Sequence, residues 1–277
     1  MPRISIITRA KDEEGGVLLE TMRSVQRQTL QDFEVILVYG TLKPETLEQL
    51  NKMGFIRLFD DAAIKPYSSP RTLNYGISKA LGEIIVILNA DATPASEDWL
   101  ENLLRGLAYE GVIATYGRQI PRPNADIFER RGLLATYPPV SRLQKTEIKF
   151  SNVNSAFPRQ VWEDRPFKED SFWSEDLEFA KWAIDNGHYL WYDAEAAVYH
   201  SHNWSLSQHY KVKYVHGQAH RHILNERWSL GEFLVRYLGG LVKEELWLLF
   251  HLEFAAIFRA PVLRFYQKLG FYRGTNA

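Results

Sequence analysis

The segment from Glu83 to Asp91 constrains this chain more than any other. It reads Glu-Ile-Ile-Val-Ile-Leu-Asn-Ala-Asp and is followed by Ala92-Thr93-Pro94. A short apolar run rich in β-branched residues predicts a strand buried on both faces, which needs cover from helices on either side. Asp91 then falls at the C-terminal end of that strand, where open α/β sheets bind their ligands, and the address suits a metal or a phosphate. Two more polar elements lie further along: Trp173-Ser174-Glu175-Asp176, and His200-Ser201-His202 at the close of another apolar run. A strand-end acid, an acid pair and strand-end histidines exceed what a structural scaffold needs.

The first half alternates strand and helix signals. Strands are expected at Ile4 to Thr8, Glu34 to Tyr39, Ile56 to Phe59 and Val112 to Tyr116. Helical periods fall between them: Val17 to Gln28, Thr41 to Met53, Thr72 to Leu81 and Glu97 to Ala108. Such alternation implies βαβ units, hence an α/β fold with a mostly parallel sheet. From Gly117 to Lys149 the period weakens among Pro121, Pro123, Pro138 and Pro139, and a loop or lid is expected there. Asp176 to Asn186 reads as an amphipathic helix. Tyr189 to Tyr192 and Ala196 to Tyr199 read as two strands, and helix follows from Ser205 to the end with Pro261 as its clearest break.

Composition narrows the function. Thirty-three Lys plus Arg against thirty-four Asp plus Glu leave a net charge of −1, so no global footprint for nucleic acid exists. The absence of cysteine excludes disulfides, thiolate catalysis and Cys-ligated zinc, and fits a reducing compartment. Met1-Pro2-Arg3-Ile4-Ser5 lacks the layout of a signal peptide, and no run reaches about 18 apolar residues. The expected place is the cytoplasm, with attachment at the inner face of the cell membrane as the variant.

Seven segments then become recognisable together. They are Ile4-Ser5-Ile6-Ile7-Thr8-Arg9-Ala10-Lys11-Asp12-Glu13 with Gln28-Thr29; Arg71-Thr72-Leu73-Asn74-Tyr75-Gly76-Ile77; Leu88-Asn89-Ala90-Asp91-Ala92-Thr93-Pro94 with Trp99-Leu100; Tyr116-Gly117-Arg118-Gln119; Phe150-Ser151-Asn152-Val153-Asn154-Ser155-Ala156; Glu175-Asp176-Leu177-Glu178; and Val198-Tyr199-His200-Ser201-His202. In this order and spacing the chain resembles the inverting nucleotide-sugar glycosyltransferases of family 2, with the GT-A fold, and among them the rhamnosyltransferase-like group. The resemblance implies a catalytic domain over residues 1–210, with a donor half to about 117 and an acceptor half from 118, and an appended helical region over 211–277.

What the resemblance implies about chemistry can be set beside what the residues themselves allow. In this fold a divalent cation, Mg2+ or Mn2+, holds the donor diphosphate at the strand-end acid, so Asp91 is the expected ligand; a hard cation neutralises charge on the leaving group. Asn89 stands where the usual Asp-x-Asp begins. Asp91 as a mere helix cap is the bland alternative. Asp176 matches the aspartate that serves as general base, because a sugar hydroxyl must lose its proton as the anomeric carbon is attacked; Glu175 is expected to orient the acceptor. Both acids would also suit the first turn of a helix on electrostatic grounds alone. One of His200 and His202 is expected to face the metal, His202 ahead of His200, which still belongs to the apolar run.

Arg71 and Asn74, near a helix start, are expected to meet phosphate. Thr8, Arg9 and Glu13 follow the first strand at the nucleotide edge, where a surface ion pair between Arg9 and Glu13 is the alternative. Asn154 completes the expected donor contacts. One departure concerns the base: the family's second strand usually ends in an aspartate, whereas this chain has Val38-Tyr39-Gly40-Thr41. Tyr39 could stack on the base instead. UDP-, dTDP- and GDP-linked donors all stay open, as do saccharide and lipid-linked acceptors.

His216 and His220 have zinc-like spacing without the glutamate of a metallopeptidase helix, since Gly217 follows the first, and are read as surface or acceptor-side polarity. The last third is dense in aromatic and aliphatic residues, among them Leu246-Trp247-Leu248-Leu249-Phe250, with Arg259, Arg264, Lys268 and Arg273 interspersed. Such helices suit a membrane surface, a homodimer interface or packing on the catalytic core. Two other functions share the fold. A sugar-nucleotide pyrophosphorylase would carry a Gly-rich basic loop after the first strand, which Thr8 to Gly16 fits poorly, and a non-catalytic binding module would have no use for Asp91 and Asp176.

Overall fold

The computed structural model describes residues 3–10, 16–62, 64–170 and 174–277. Four strands, β1 (Ile4–Ala10), β2 (Phe33–Tyr39), β3 (Ile56–Asp60) and β4 (Ile84–Leu88), run parallel, with β1 between β2 and β4 and β3 outside β2. Helices α1 (Gly16–Gln26), α2 (Pro44–Met53) and α3 (Ser69–Ser78) make the crossovers. Side-chain alternation along the strands divides the core into two faces. Ile6, Leu37 and Val86 pack with Leu18, Met22 and Val25 of α1, while Ile7, Ile36 and Ile87 pack with Leu73 and Ile77 of α3.

The chain then turns through β5 (Thr93–Pro94), α4 (Trp99–Arg105), β6 (Val112–Ile120), α5 (Ile127–Thr136), β7 (Arg142–Gln144), β8 (Asn154–Pro158), α6 (Arg159–Asp164), α7 (Glu175–Asp185) and β9 (Tyr189–Tyr199). β8 is antiparallel to both β4 and β6, and β6 is parallel to β9, giving the order β3-β2-β1-β4-β8-β6-β9-β5, with β7 beside β9. The region expected as a loop from 117 to 149 therefore holds the end of β6, one helix and one strand. Polar residues inside β6 hide its period because their partners are buried. The two expected strands after Tyr189 are one, and its register against β6 shifts between Gly117 and Gln119. Asp193 accommodates this irregularity by accepting from the backbone N–H groups of Glu195 and Ala196, at 3.0 and 3.3 Å, and by pairing with Arg105 at 3.0 Å.

Polar side chains of α1 and the segment after it fix the chain that leaves β4. Thr21 meets the hydroxyl of Thr93 at 3.0 Å, Ser24 donates to the Pro94 carbonyl at 2.9 Å, and the Gln28 oxygen accepts the Leu100 N–H at 2.9 Å. These bonds hold the turn that carries Asp91.

The chain forms two units, residues 1–169 with 175–201, and residues 170–174 with 202–277. The second unit is helical from Leu206 on. It contains α8 (Leu206–Leu224), α9 (Leu230–Phe250), α10 (Phe254–Ile257) and α11 (Ala260–Thr275). Capping boxes Ser205/Gln208 and Ser229/Glu232 start α8 and α9. The break after α8 falls at Asn225, in the left-handed region at φ 55°, and Pro261 lies in the first turn of α11 rather than breaking a helix. α8 and α11 touch backbone to backbone: a Cβ at Gly274 would stand 2.1 Å from the Tyr214 carbonyl oxygen. α9 buries Phe233, Glu244 and Leu248, yet leaves Leu234, Val235, Leu238, Val242, Leu246 and Leu249 exposed. No helix among the described residues is long and apolar enough to cross a membrane.

Candidate active site

Past β4 the backbone turns at once, with the Ala92 N–H donating to the Asn89 carbonyl at 3.0 Å. Arg122 braces this turn, donating to the Asp91 carbonyl at 3.1 Å and the Thr93 hydroxyl at 2.7 Å, while its other amino group meets Glu20 at 3.3 Å. The backbone of Asp91 is thereby held while its side chain stays 44% exposed. Arg122 has no signature in the sequence; it is one of several arginines in a region without clear period.

His200 approaches Asp91 from β9. Its backbone N–H continues the ladder to the Ile120 carbonyl at 3.0 Å, and its Nε2 lies 3.6 Å from Asp91 Oδ1. It is buried, with Nδ1 2.9 Å from the Gln119 Oε1. His202 follows two positions later, in the second unit. Asp91, His200 and His202 make up the candidate metal-ligating group among the described residues. A carboxylate with two imidazoles suits a first-row divalent cation such as Mn2+. Both histidines belong to this candidate group, His200 buried and still bonded through its backbone N–H to the end of β6. His216 and His220 are outside it, His216 exposed and His220 bonded through Nδ1 to Glu226 at 2.8 Å.

The acid pair opens α7. Glu175 is 3% exposed; its Oε1 accepts from the Ser69 hydroxyl at 2.6 Å and lies 3.5 Å from Arg9 Nη1, while Oε2 is enclosed without a partner among the described residues. Arg9 also donates to Ser69 and, at 3.5 Å, to the Asn89 oxygen. So Arg9 ties β1, the Asp91 turn, α3 and α7 together, and its partner is Glu175; Glu13, like Trp173, lies outside the described residues. The acceptor-orienting role expected of Glu175 has no exposed oxygen to act through. Asp176 is half-buried. Crowding around its carboxyl, then the neighbouring Glu175 charge, push it up to about 7, against the pull of the Leu177 N–H and of Arg9. A carboxyl poised there is suited to accept a proton near neutrality.

Several expected donor contacts are taken up elsewhere. Asn154 is fully buried, accepting from Trp99 Nε1 at 2.9 Å and donating to the Ala196 carbonyl at 2.8 Å, so it clamps the sheet and cannot touch a nucleotide. Asn74 accepts from Trp162 Nε1 and the Phe167 N–H, at 2.9 and 3.1 Å, and donates to the Phe167 carbonyl. It anchors the segment after α6 instead of a phosphate. Arg71 meets Glu169 at 2.7 Å, where the expected partner was an anion of the donor. Thr8 is fully buried, its hydroxyl without a partner among the described residues. Tyr39 is half-buried at the end of β2. Beside it stands a carboxylate the sequence did not single out: Asp61, just past β3, sits so that a Cβ on Gly40 would be 3.1 Å from its Oδ2.

A mixed sheet of this order, with an acid just past the end of β4, has the architecture of the GT-A class. Residues 5–165 match the model of glycosyl transferase family 2, and the chain belongs to that family; it is a glycosyltransferase. Similar relatives include the O-antigen chain rhamnosyltransferase RfbN of Salmonella typhimurium, 24% identical over 74% of this chain and 69% of that one, and WbaN of Salmonella anatum, 25% identical over 79% and 73%. Among solved structures, the mannosyltransferase PcManGT of Pyrobaculum calidifontis, in complex with GDP-Man and Mn2+, superposes with a TM-score of 0.69 at 15% identity, covering 99% of this chain and 86% of that one. Glucosyl-3-phosphoglycerate synthase of Mycobacterium tuberculosis, with Mn2+, UDP-glucose and phosphoglyceric acid, gives 0.56 at 16% identity over 81% and 79%.

Proposed function

We propose that this glycosyltransferase depends on a divalent cation and transfers its sugar with inversion, from a nucleoside diphosphate to a saccharide or lipid-linked hydroxyl in cell-surface polysaccharide synthesis. The observation that carries this reading is the pair of unlike groups: Asp91 beside His200 at the strand edge, and the raised carboxyl of Asp176. Asp91, His200 and His202 would hold Mg2+ or Mn2+, which when bound neutralises the diphosphate as it leaves. Arg9, Asn89, Tyr39 and Arg71 frame the donor side, Arg71 after release from Glu169, and Glu175 acts by holding Arg9 and raising the Asp176 carboxyl.

Asp176 accepts the proton of the acceptor hydroxyl while that oxygen bonds to the anomeric carbon. The bond from that carbon to the diphosphate oxygen breaks on the opposite face, and its electron pair leaves with the diphosphate. One displacement inverts the carbon and needs no covalent enzyme intermediate.

The rhamnosyl names of the two relatives support a deoxyhexose donor, and the O-antigen chain in those names supports a growing surface glycan as acceptor. Asp61 is proposed to take over base recognition from the aspartate missing at the end of β2. The exposed apolar face of α9, flanked by Arg236 and Lys243, fits the interface of an anionic bilayer at the inner side of the cell membrane. Flotation with anionic and neutral vesicles tests it, and a concentration-dependent dimer that ignores vesicles would replace it. The function itself is tested by transfer and hydrolysis across UDP-, dTDP- and GDP-sugars with Mn2+ or chelator. Turnover that survives complete chelation would remove the metal reading, and a retained anomeric configuration would remove the single displacement.

A further inference from the structure

Histidine binds a metal through one ring nitrogen, and the hydrogen bond at the other decides which nitrogen carries the lone pair. In this chain that second nitrogen is Nδ1 of His200, 2.9 Å from Gln119 Oε1, with both residues buried. The opposite end of the same amide is engaged too. Gln119 Nε2 donates to the Tyr137 hydroxyl at 2.7 Å and to Ser151 Oγ at 3.0 Å. With the amide nitrogen on the two hydroxyl oxygens, its carbonyl oxygen faces the imidazole, and an oxygen there accepts only if Nδ1 carries the proton. The lone pair of the neutral ring falls on Nε2, the atom 3.6 Å from Asp91 Oδ1.

We infer that Gln119 is a positioning residue for the metal centre: it fixes His200 as the Nδ1–H tautomer and turns the Nε2 lone pair toward the cation held with Asp91. The fold shows how the placement arises. Gln119 follows the register shift in β6, where it pairs with Val198, and His200 lies two residues further along β9's direction, on the same side. Tyr137 and Ser151 come from the segments after α5 and before β8, so the amide is gripped from three stretches of chain.

The inference rests on His200 being a metal ligand, and its test separates the two. The direct measurement is the long-range proton–nitrogen NMR spectrum of the 15N-histidine-labelled, metal-free protein, with His200 assigned by His200→Gln. We expect the Nδ1-protonated pattern in the wild type and in Gln119→Glu, which keeps an acceptor. Gln119→Leu should show a mixed or Nε2-protonated ring. Mn2+ titrated alone, followed by electron paramagnetic resonance, should bind Gln119→Leu about 10- to 100-fold more weakly and Gln119→Glu nearly as well as wild type. A wild-type His200 protonated at Nε2 overturns the inference without any variant needing to fold, as does an unchanged tautomer in Gln119→Leu. If instead the tautomer behaves as expected while His200→Gln binds Mn2+ normally, the metal reading fails and the hydrogen-bond assignment stands.

Discussion

The two acidic centres of this site are built on opposite plans. Asp91 sits on a turn past the sheet, held by its backbone through Arg122, with its carboxylate partly open. Asp176 sits at the first turn of α7, crowded, next to the buried Glu175, whose ion-pair partner is Arg9. An exposed carboxylate can reach a cation, whereas a crowded one beside another negative charge holds a proton more tightly. On the proposed reading, environment divides the two acids into a place for a metal and a place for a proton.

The division can be broken most severely at the open end. Asp91→Ala should lower transfer on the order of 10³-fold, since charge neutralisation of the diphosphate contributes several kcal/mol. Its folding should change little, because the removed side chain contributes little core area. Calorimetry of nucleoside diphosphate with Mn2+ reads the binding half, and full Mn2+-dependent affinity in the variant would take the metal away from Asp91.

At the enclosed end Asp176→Asn should cost at least about 10² in turnover with donor affinity kept. In the wild type, activity should rise with pH through about 7 as the carboxyl ionises, and the Asn variant should lose that limb. A variant whose donor affinity falls in step with turnover would make Asp176 a binding residue.

A subtler version acts on stability. Because the Asp176 pKa is raised from an ordinary 3.8 to about 7, the folded state binds a proton more tightly than the unfolded one, and stability drains away as pH rises across that window. Asp176→Asn should therefore gain in Tm relative to wild type at pH 8 and show no gain at pH 3. An equal gain at both values would mean that the carboxyl is not perturbed.

The smallest expected effect lies at neither acid but at the base. Asp61→Asn should shift the preference among UDP, dTDP and GDP by about tenfold, the size of one hydrogen bond to a charged group, while inorganic diphosphate with Mn2+ binds as before. Competition binding with the three nucleotides decides it; unchanged ratios leave Asp61 without that role.

How far the sequence could be read depends on what each element uses to declare itself. β1, β2 and β4 declare themselves by unbroken apolar runs, and Asp91 by standing at the end of one. β6 past Tyr116 does not, because Arg118 and Gln119 continue the strand as polar residues whose partners, Tyr137, Ser151 and His200, are distant in the chain. β9 looked like two strands because Asp193 interrupts it, although that carboxylate is bonded to the very backbone it seemed to break. For Asn74 and Asn154 the residue type was right for a ligand, but a sequence does not show which donors and acceptors are already taken. The partners that each asparagine meets, an indole N–H and a carbonyl for Asn154, and an indole N–H with the Phe167 N–H and carbonyl for Asn74, come from segments more than 40 positions away.

Asn154 also explains a neighbour. A Cβ at position 117 would lie 2.2 Å from the Asn154 amide nitrogen and 2.0 Å from the Ala196 carbonyl oxygen, so Gly117 is where three strands close on one another without room for a methyl group. In a saturation library of this enzyme, position 117 should be a blank column, tolerating neither alanine nor anything larger, two residues from Gln119, whose replacements should span a graded range. A map of tolerated variation would therefore show a sharp edge running through β6, with architecture on one side of it and tunable chemistry on the other.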